Sequence, residues 1–328
     1  MDLCILSQKV WGKNGNHWQF FFSACAMIGA LPVFNVNQLT QAVNDILLKP
    51  NGVEVTNYTN LGIGVFLVII TSIVVLGGLK RIGKVTARLV PSMVLLYFIL
   101  VVIILIVNIE VVPKYFMMIF TDAFSADFIN EESFFGGVVG ALIILGIKRG
   151  AFSNEAGVGT APMAHGAAKT DEPVREGLVA MLGPFIDTII VCTLTALAIL
   201  VTEVWQTTDT NGVSLTATAF GNAMPGIGKY LLMVCVAIFS ISSLFSYSYY
   251  GTKSLSFLVG AKYKHVYNYL FIGSILIGAT ASLDTMINLI DSAFALMAIP
   301  TMLATIILAP KVMKEAKSYS NKLKNSRN

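Results

Sequence analysis

The stretch Gly146-Ile-Lys-Arg-Gly-Ala-Phe-Ser-Asn-Glu-Ala-Gly-Val-Gly-Thr-Ala-Pro-Met-Ala-His165 follows the apolar run Phe135–Leu145. Wound as a helix, Gly136–Ile147 rises about 18 Å. That puts the start of the stretch near the middle of an apolar layer about 30 Å thick. Gly150, Gly157, Gly159 and Pro162 all disfavour a continuous helix there. Unpaired backbone groups in hydrocarbon cost several kcal/mol each, so a break at that depth is tolerated only inside protein or beside a water-filled cavity. Lys148, Arg149, Ser153, Asn154 and Glu155 are also costly to leave in lipid. The pattern predicts an interrupted membrane helix whose half-helix ends hold a carboxylate or a cation. The competing reading is a loop at the membrane surface, with Lys148 and Arg149 snorkelling from a helix end. The dense run of small and polar residues after Arg149 favours the interrupted helix.

The composition agrees with a lipid solvent. Hydrophobic residues make up 55% of the 328-residue chain and charged ones 12%, against about 25% charged in soluble domains. So few charges do not cover a water-facing surface. The net charge of +4 is small and most basic residues fall between apolar runs, so nothing supports a nucleic-acid partner. Cys4, Cys25, Cys192 and Cys235 lack zinc or redox spacing and read as small buried residues. No HExxH, GxSxG or P-loop is present, and His17, His165 and His265 are scattered. The chain reads as a non-enzyme without a cofactor. Met1–Asn16 lacks the apolar core of a signal peptide.

About eight stretches are apolar over the length a membrane helix needs. They lie near Trp18–Asp45, Leu61–Leu79, Leu89–Val112, Phe135–His165, Gly177–Thr202, Tyr230–Gly260, Val266–Ser282 and Thr285–Leu308. The basic loops are Lys80–Arg88 and Lys253–Lys264, together with the tail carrying Lys311, Lys314, Lys317, Lys322, Lys324 and Arg327. Alternation across these spans puts the basic segments on one face. By the positive-inside rule that face is cytoplasmic, and both chain ends lie there. The tail is expected to be a frayed basic helix near anionic lipid headgroups.

Several polar residues sit in apolar company. Gln38 shares a helical face with Asn35 and either faces a substrate cavity or bonds a neighbouring helix. Ser240, Ser242 and Ser243 offer hard oxygen ligands for an alkali cation or form a small-residue packing face. Asp187 and Asp291 are lone acids within apolar helices. Each is a functional group or the structural partner of a cation such as Arg149.

The run Arg149–His165 resembles the signature of the alanine or glycine:cation symporter family. The resemblance extends through Ala168-Lys-Thr-Asp-Glu-Pro-Val-Arg175, Gly177-Leu-Val-Ala-Met-Leu-Gly183 and Phe185-Ile-Asp-Thr188. It also takes in Leu76-Gly-Gly-Leu-Lys-Arg-Ile-Gly-Lys84, Cys192-Thr-Leu-Thr-Ala196, Ser248-Tyr-Tyr-Gly251 and Leu296-Met-Ala-Ile-Pro300. It implies an all-α polytopic membrane protein with a LeuT-type fold of inverted repeats. It also implies symport of alanine or glycine with Na⁺ as coupling ion, by alternating access across the cell membrane. Residues 1–310 would be one membrane domain, with 1–133 the remainder of the first repeat and 134–310 the second, followed by a cytoplasmic tail over 311–328. By the family pattern Phe152, Ser153, Asn154, Gly157 and Thr160 line the amino-acid site. Gln38 matches a site-facing glutamine, and Ser242 and Ser243 match a sodium-binding pair. Tyr247 stands where the family usually has Trp, and Lys148 replaces a small residue. The family's glycine-rich first broken helix has no counterpart in the chain. The resemblance therefore carries an alternative: a truncated, transport-inactive fragment, or one piece of a split transporter.

Overall fold

The computed structural model describes residues 15–124 and 138–325, and every element in them is helical. Helices α1 (Gly15–Gly29) and α2 (Val33–Val43) meet at a bend before Val33, where Pro32, with no N–H to donate, stands at the N-cap of α2. A π turn (Asn44–Leu48) and a 3₁₀ turn (Lys49–Asn51) extend α2. Then come α3 (Asn57–Val75), α4 (Leu79–Val107) and α5 (Val112–Ala123). The interrupted segment supplies α6 (Val138–Asn154) and α7 (Thr160–His165). Helix α8 (Pro173–Pro184) passes through a π segment (Phe185–Cys192) into α9 (Thr193–Val201). Short α10 (Val204–Thr207) and α11 (Val213–Ala223) lead to α12 (Gly228–Val259), α13 (Lys264–Thr280) and α14 (Leu283–Asn325).

Six helical runs among the described residues are long and apolar enough to cross a membrane. The other two expected spans correspond to α6 and α13, each 17 residues long. At about 25 Å they fall just short of the apolar layer. Residues 135–137 of the expected fourth span, the proposed repeat boundary at 133–134, Cys4 and most of Met1–Asn16 lie outside the described residues.

Helix α12 runs through the centre, against α1, α2, α3, α4, α11 and α13. Its small residues explain the position. Ser240, Ser242, Ser248, Gly251 and Ser254 are buried, and small side chains let helix backbones approach closely where lipid offers no hydrophobic drive. Their hydroxyls turn back on their own helix: Ser242 donates to the Phe239 carbonyl at 2.9 Å and Ser248 to that of Phe245 at 2.7 Å. A Cβ on Gly251 would sit 1.9 Å from the Tyr267 ring of α13. Apolar side chains such as Phe66, Ile69, Ile144 and Ile306 are exposed on the outer faces, as a bilayer solvent requires.

Two expectations about the basic segments change. Lys80–Arg88 is not a loop but the opening turns of α4, and Arg81 reaches back to the Ile73 carbonyl at the end of α3, 2.7 Å away. A cation at a helix C-terminus offsets its partial negative charge. Lys253 likewise lies inside α12. The basic tail continues α14 unbroken through Pro310 to Asn325. At 43 residues, α14 is about 65 Å long and exceeds the apolar layer about twofold. Lys322 of its tail lies 3.4 Å from Glu172, in the turn before α8.

Helix α3 begins with a reciprocal cap: the Thr56 hydroxyl accepts from the Thr59 N–H and the Thr59 hydroxyl accepts from the Thr56 N–H. Thr56→Ala is expected to cost about 1 kcal/mol, read as a lower unfolding midpoint in detergent.

Candidate functional site

The interruption is real but starts later than the glycine pattern predicts. Helix α6 continues through Gly146, Lys148 and Gly150 to Asn154, and the unwound turn is Glu155–Gly159. A glycine in a helix costs about 1 kcal/mol. Freeing a backbone N–H and C=O in hydrocarbon costs several. Gly150 alone therefore does not break a membrane helix. The turn is set where the chain enters the left-handed region: Glu155 at φ 54°, Gly157 at 82° and Gly159 at 107°. Gly159 also lies so close to its neighbours that a Cβ would be 2.5 Å from the Phe22 ring and 2.6 Å from the Thr301 hydroxyl. The Thr301 hydroxyl is shared between the Met297 carbonyl of its own helix at 2.9 Å and the Val158 carbonyl at 3.2 Å, so α14 meets a carbonyl that the unwinding leaves free.

Three elements hold the turn. The Phe152 ring lies edge-on to Phe34 of α2 at 5.0 Å between centroids and against Phe294 of α14 at 5.3 Å. From α12 the Tyr247 hydroxyl donates to the Glu155 carboxylate at 2.6 Å. The buried Thr160 side chain lies beside that carboxylate, and Asn35 of α2 lies beside the Tyr247 phenol. Glu155 is the residue that sequence reasoning passed over as a site group. Its signal was available: a carboxylate inside a segment expected to be unwound in an apolar setting.

The remaining expected binding residues lie on α2, α6, the turn itself and α12. Gln38, half-buried, lies one helical turn beyond Phe34 and so on the same face of α2. Its amide donates to Gln41 at 3.3 Å, and its oxygen lies against Gly212. Gly157 is exposed in the turn. Ser153 reaches the π segment, donating to Asp187 at 2.6 Å, and Asn154 joins that segment to the turn: its amide donates to Thr188 at 2.8 Å and its oxygen accepts from the Ala156 N–H at 2.8 Å. The wider π turn carries Asp187 and Thr188, as such turns do at many functional positions. Asp187 is thus held by a hydroxyl of the interrupted helix, not by Arg149. Ser243 lies one turn before Tyr247 on the same face of α12, and Ser242 is buried with its proton committed to its own helix.

The charged residues of α6 meet α14. Lys148 lies 2.7 Å from the buried Asp291 carboxylate and Arg149 3.8 Å from it. The expected Arg149 pairing is the weaker of the two contacts. His165 bonds Glu176 at 2.7 Å across the turn from α7 to α8.

The family model for the sodium:alanine symporter family matches residues 8–328. The chain is 38% identical to the sodium/alanine symporter AgcS of Methanococcus maripaludis, over 92% of this chain and 65% of that protein. It is 33% identical to the uncharacterized transporter YflA of Bacillus subtilis, over 85% of this chain and 60% of that one. The probable sodium/glutamine symporter GlnT of Bacillus subtilis is 30% identical, over 80% of this chain and 54% of its own length. The chain thus spans less than two thirds of each of these relatives. The interrupted helix, the many apolar spans and the match along nearly all of its length agree, and the chain belongs to the sodium:alanine symporter family, a family of transporters rather than enzymes.

Proposed function

We propose that the chain carries part or all of the machinery for Na⁺-coupled uptake of a small neutral amino acid, alanine or glycine, across the cell membrane, with its basic ends on the cytoplasmic side. The observation that carries this reading is the unwound Glu155–Gly159 turn, held between α2, α12 and α14 by Phe152, Tyr247 and Thr301. The last carbonyls of α6 lack helical partners and favour an ammonium, while the N–H groups of Gly157 and Gly159 in the turn favour a carboxylate. Gln38, Phe152, Gly157, Thr160 and Tyr247 set the shape of the amino-acid site around that turn. Ser153 and Asn154 position it through Asp187 and Thr188. Ser242 and Ser243 supply oxygens to Na⁺, whose chemistry requires hard ligands. Movement of the α6–α7 segment and α12 against the remaining helices, in a LeuT-type arrangement, alternates access. Family membership and the name of the methanococcal relative support the choice of alanine and Na⁺. The glutamine relative makes the side-chain pocket the point to test.

The test is uptake of labelled alanine by the purified chain in proteoliposomes. A tenfold inward Na⁺ gradient is expected to drive up to about tenfold accumulation for each coupled ion. Gln38→Leu is expected to abolish most of it while leaving the unfolding midpoint near that of the parent. Equal uptake with and without the gradient removes the sodium coupling. Competition by glutamine but not by glycine moves the substrate class.

A further inference from the structure

A second polar site lies away from the interrupted helix. Where the π turn after α2 meets α3 and the end of α13, a cleft of about 280 Å³ is lined by Thr40, Gln41, Asn44, Asp45, Lys49 and Asn60. Thr40 and Gln41 from the last turn of α2, and Asn44 and Asp45 one turn further on, at the start of the π turn Asn44–Leu48, form its polar wall.

The protein's own hydrogen bonds leave a particular remainder. Asn44 donates its amide to the Asn60 oxygen at 2.8 Å, which fixes the side chain with Oδ1 as its spare atom. Gln41 donates to Ser214 at 3.2 Å, and Ser214 donates to one oxygen of Asp45. The other Asp45 oxygen takes the exposed Lys49 ammonium at 2.6 Å. Thr40 and Asn44 are 2% and 6% exposed, and Thr40 Oγ1 and Asn44 Oδ1 make no hydrogen bond. A buried oxygen left without a partner costs about 1–3 kcal/mol. Two of them beside a carboxylate, in a cleft with room for more than one water, describe a set of hard oxygen ligands with one negative charge.

We propose that this cleft binds a small alkali cation, with Thr40 Oγ1, Asn44 Oδ1 and the Asp45 carboxylate as protein ligands and water completing the shell. One carboxylate suits a monovalent ion better than a divalent one, which gathers more anionic oxygens. The formal charges at the cleft are the Asp45 carboxylate and the Lys49 ammonium that it already holds, so an anion would face the carboxylate while a cation can take the place of Lys49. Lys49 acts as a tethered competitor: its ammonium occupies the carboxylate until a cation enters from the open side. The site is formed by α2, its π turn and α3, separate from Ser242 and Ser243 on α12, and it does not rest on the symport reading.

The experiment is thermal unfolding of the purified 328-residue chain in detergent, with NaCl titrated against choline chloride at constant ionic strength. A Ser242→Ala, Ser243→Ala background removes any response from α12. In that background the midpoint is expected to rise saturably with Na⁺. Thr40→Val, an isosteric change, and Asp45→Asn, which keeps the partner of Ser214, are each expected to raise the half-saturating Na⁺ concentration about tenfold or more, the scale set by 1.4 kcal/mol per decade. Lys49→Ala is expected to lower it about twofold to fivefold, the range of a half-exposed ion pair. Should Asp45→Asn fail to fold, Thr40→Val and Lys49→Ala decide the matter by their opposite signs. Identical responses to sodium and choline, or titrations of both variants that match the parent, overturn the proposal.

Discussion

Gly159→Ala is expected to destabilise the chain by about 3 kcal/mol or more, and to be the most damaging methyl group that can be added to the interrupted segment. Two independent terms add. At φ 107° a side chain sits in a region that only glycine adopts freely, a backbone cost of about 1–3 kcal/mol. The new Cβ would also lie 2.5 Å from the Phe22 ring and 2.6 Å from the Thr301 hydroxyl, inside the closely packed group of Phe22, Val158, Phe294 and Met297. Overpacking of that kind costs about 1–3 kcal/mol. Relief by rotation of Thr301 would disturb the bonds that its hydroxyl shares between the Met297 and Val158 carbonyls. Gly150→Ala is the control. It lies within α6 and its Cβ meets nothing within 4 Å, so it is expected to be neutral or to stabilise by about 0.4–1 kcal/mol. Unfolding midpoints and the yield of monodisperse protein in detergent measure both. Equal behaviour of the two variants would show that the turn is not fixed at Gly159.

Lys148→Met combined with Arg149→Met is expected to cost about 3–5 kcal/mol, because it leaves the buried Asp291 carboxylate without a cation. The single change Lys148→Met is expected to be milder, since Arg149 lies 3.8 Å from the same oxygen and remains able to shift towards it. Adding Asp291→Asn to the double variant is expected to recover most of the loss, because the uncompensated charge disappears with it. The two cations are themselves partly exposed, so Asp291→Asn alone is expected to cost less than the double change. The order of midpoints is the measurement. A triple variant no more stable than the double one would mean that packing at α6, not charge, sets the effect.

These two cases show how the chain was legible. The charge content and the apolar runs establish a helical membrane protein, because lipid leaves few ways to satisfy a backbone. The interruption was legible too, from glycines and polar side chains crowded into an apolar stretch. Its register was not. Gly150 and Gly159 look alike in sequence, and the left-handed backbone of Gly159 together with the packing of Phe22 and Thr301 against it distinguishes them. The Asp291 partner shows the same limit: Arg149 and Lys148 are adjacent in sequence, and the rotation of α6 against α14 decides that Lys148 makes the closer contact.

The candidate site divides in the same way. Of the residues that the resemblance implies, Phe152 and Tyr247 make contacts that hold the turn, while Gln38 bonds Gln41 and lies against Gly212. Ser153 and Asn154 follow Phe152 directly but bond Asp187 and Thr188 of the π segment, partners 34 residues away that local sequence does not specify. Glu155 was present in the quoted stretch, but its bond to Tyr247 joins residues far apart in the chain.

By itself the sequence determined the solvent, six of the eight expected spans and the existence of an unwound turn, since each follows from local composition and from what a backbone in hydrocarbon tolerates. Tertiary structure decided where the turn begins, which acid pairs with which cation, and that Thr40, Asn44 and Asp45 share a cleft. Those outcomes depend on the rotation of one helix against another, and local sequence does not encode that angle.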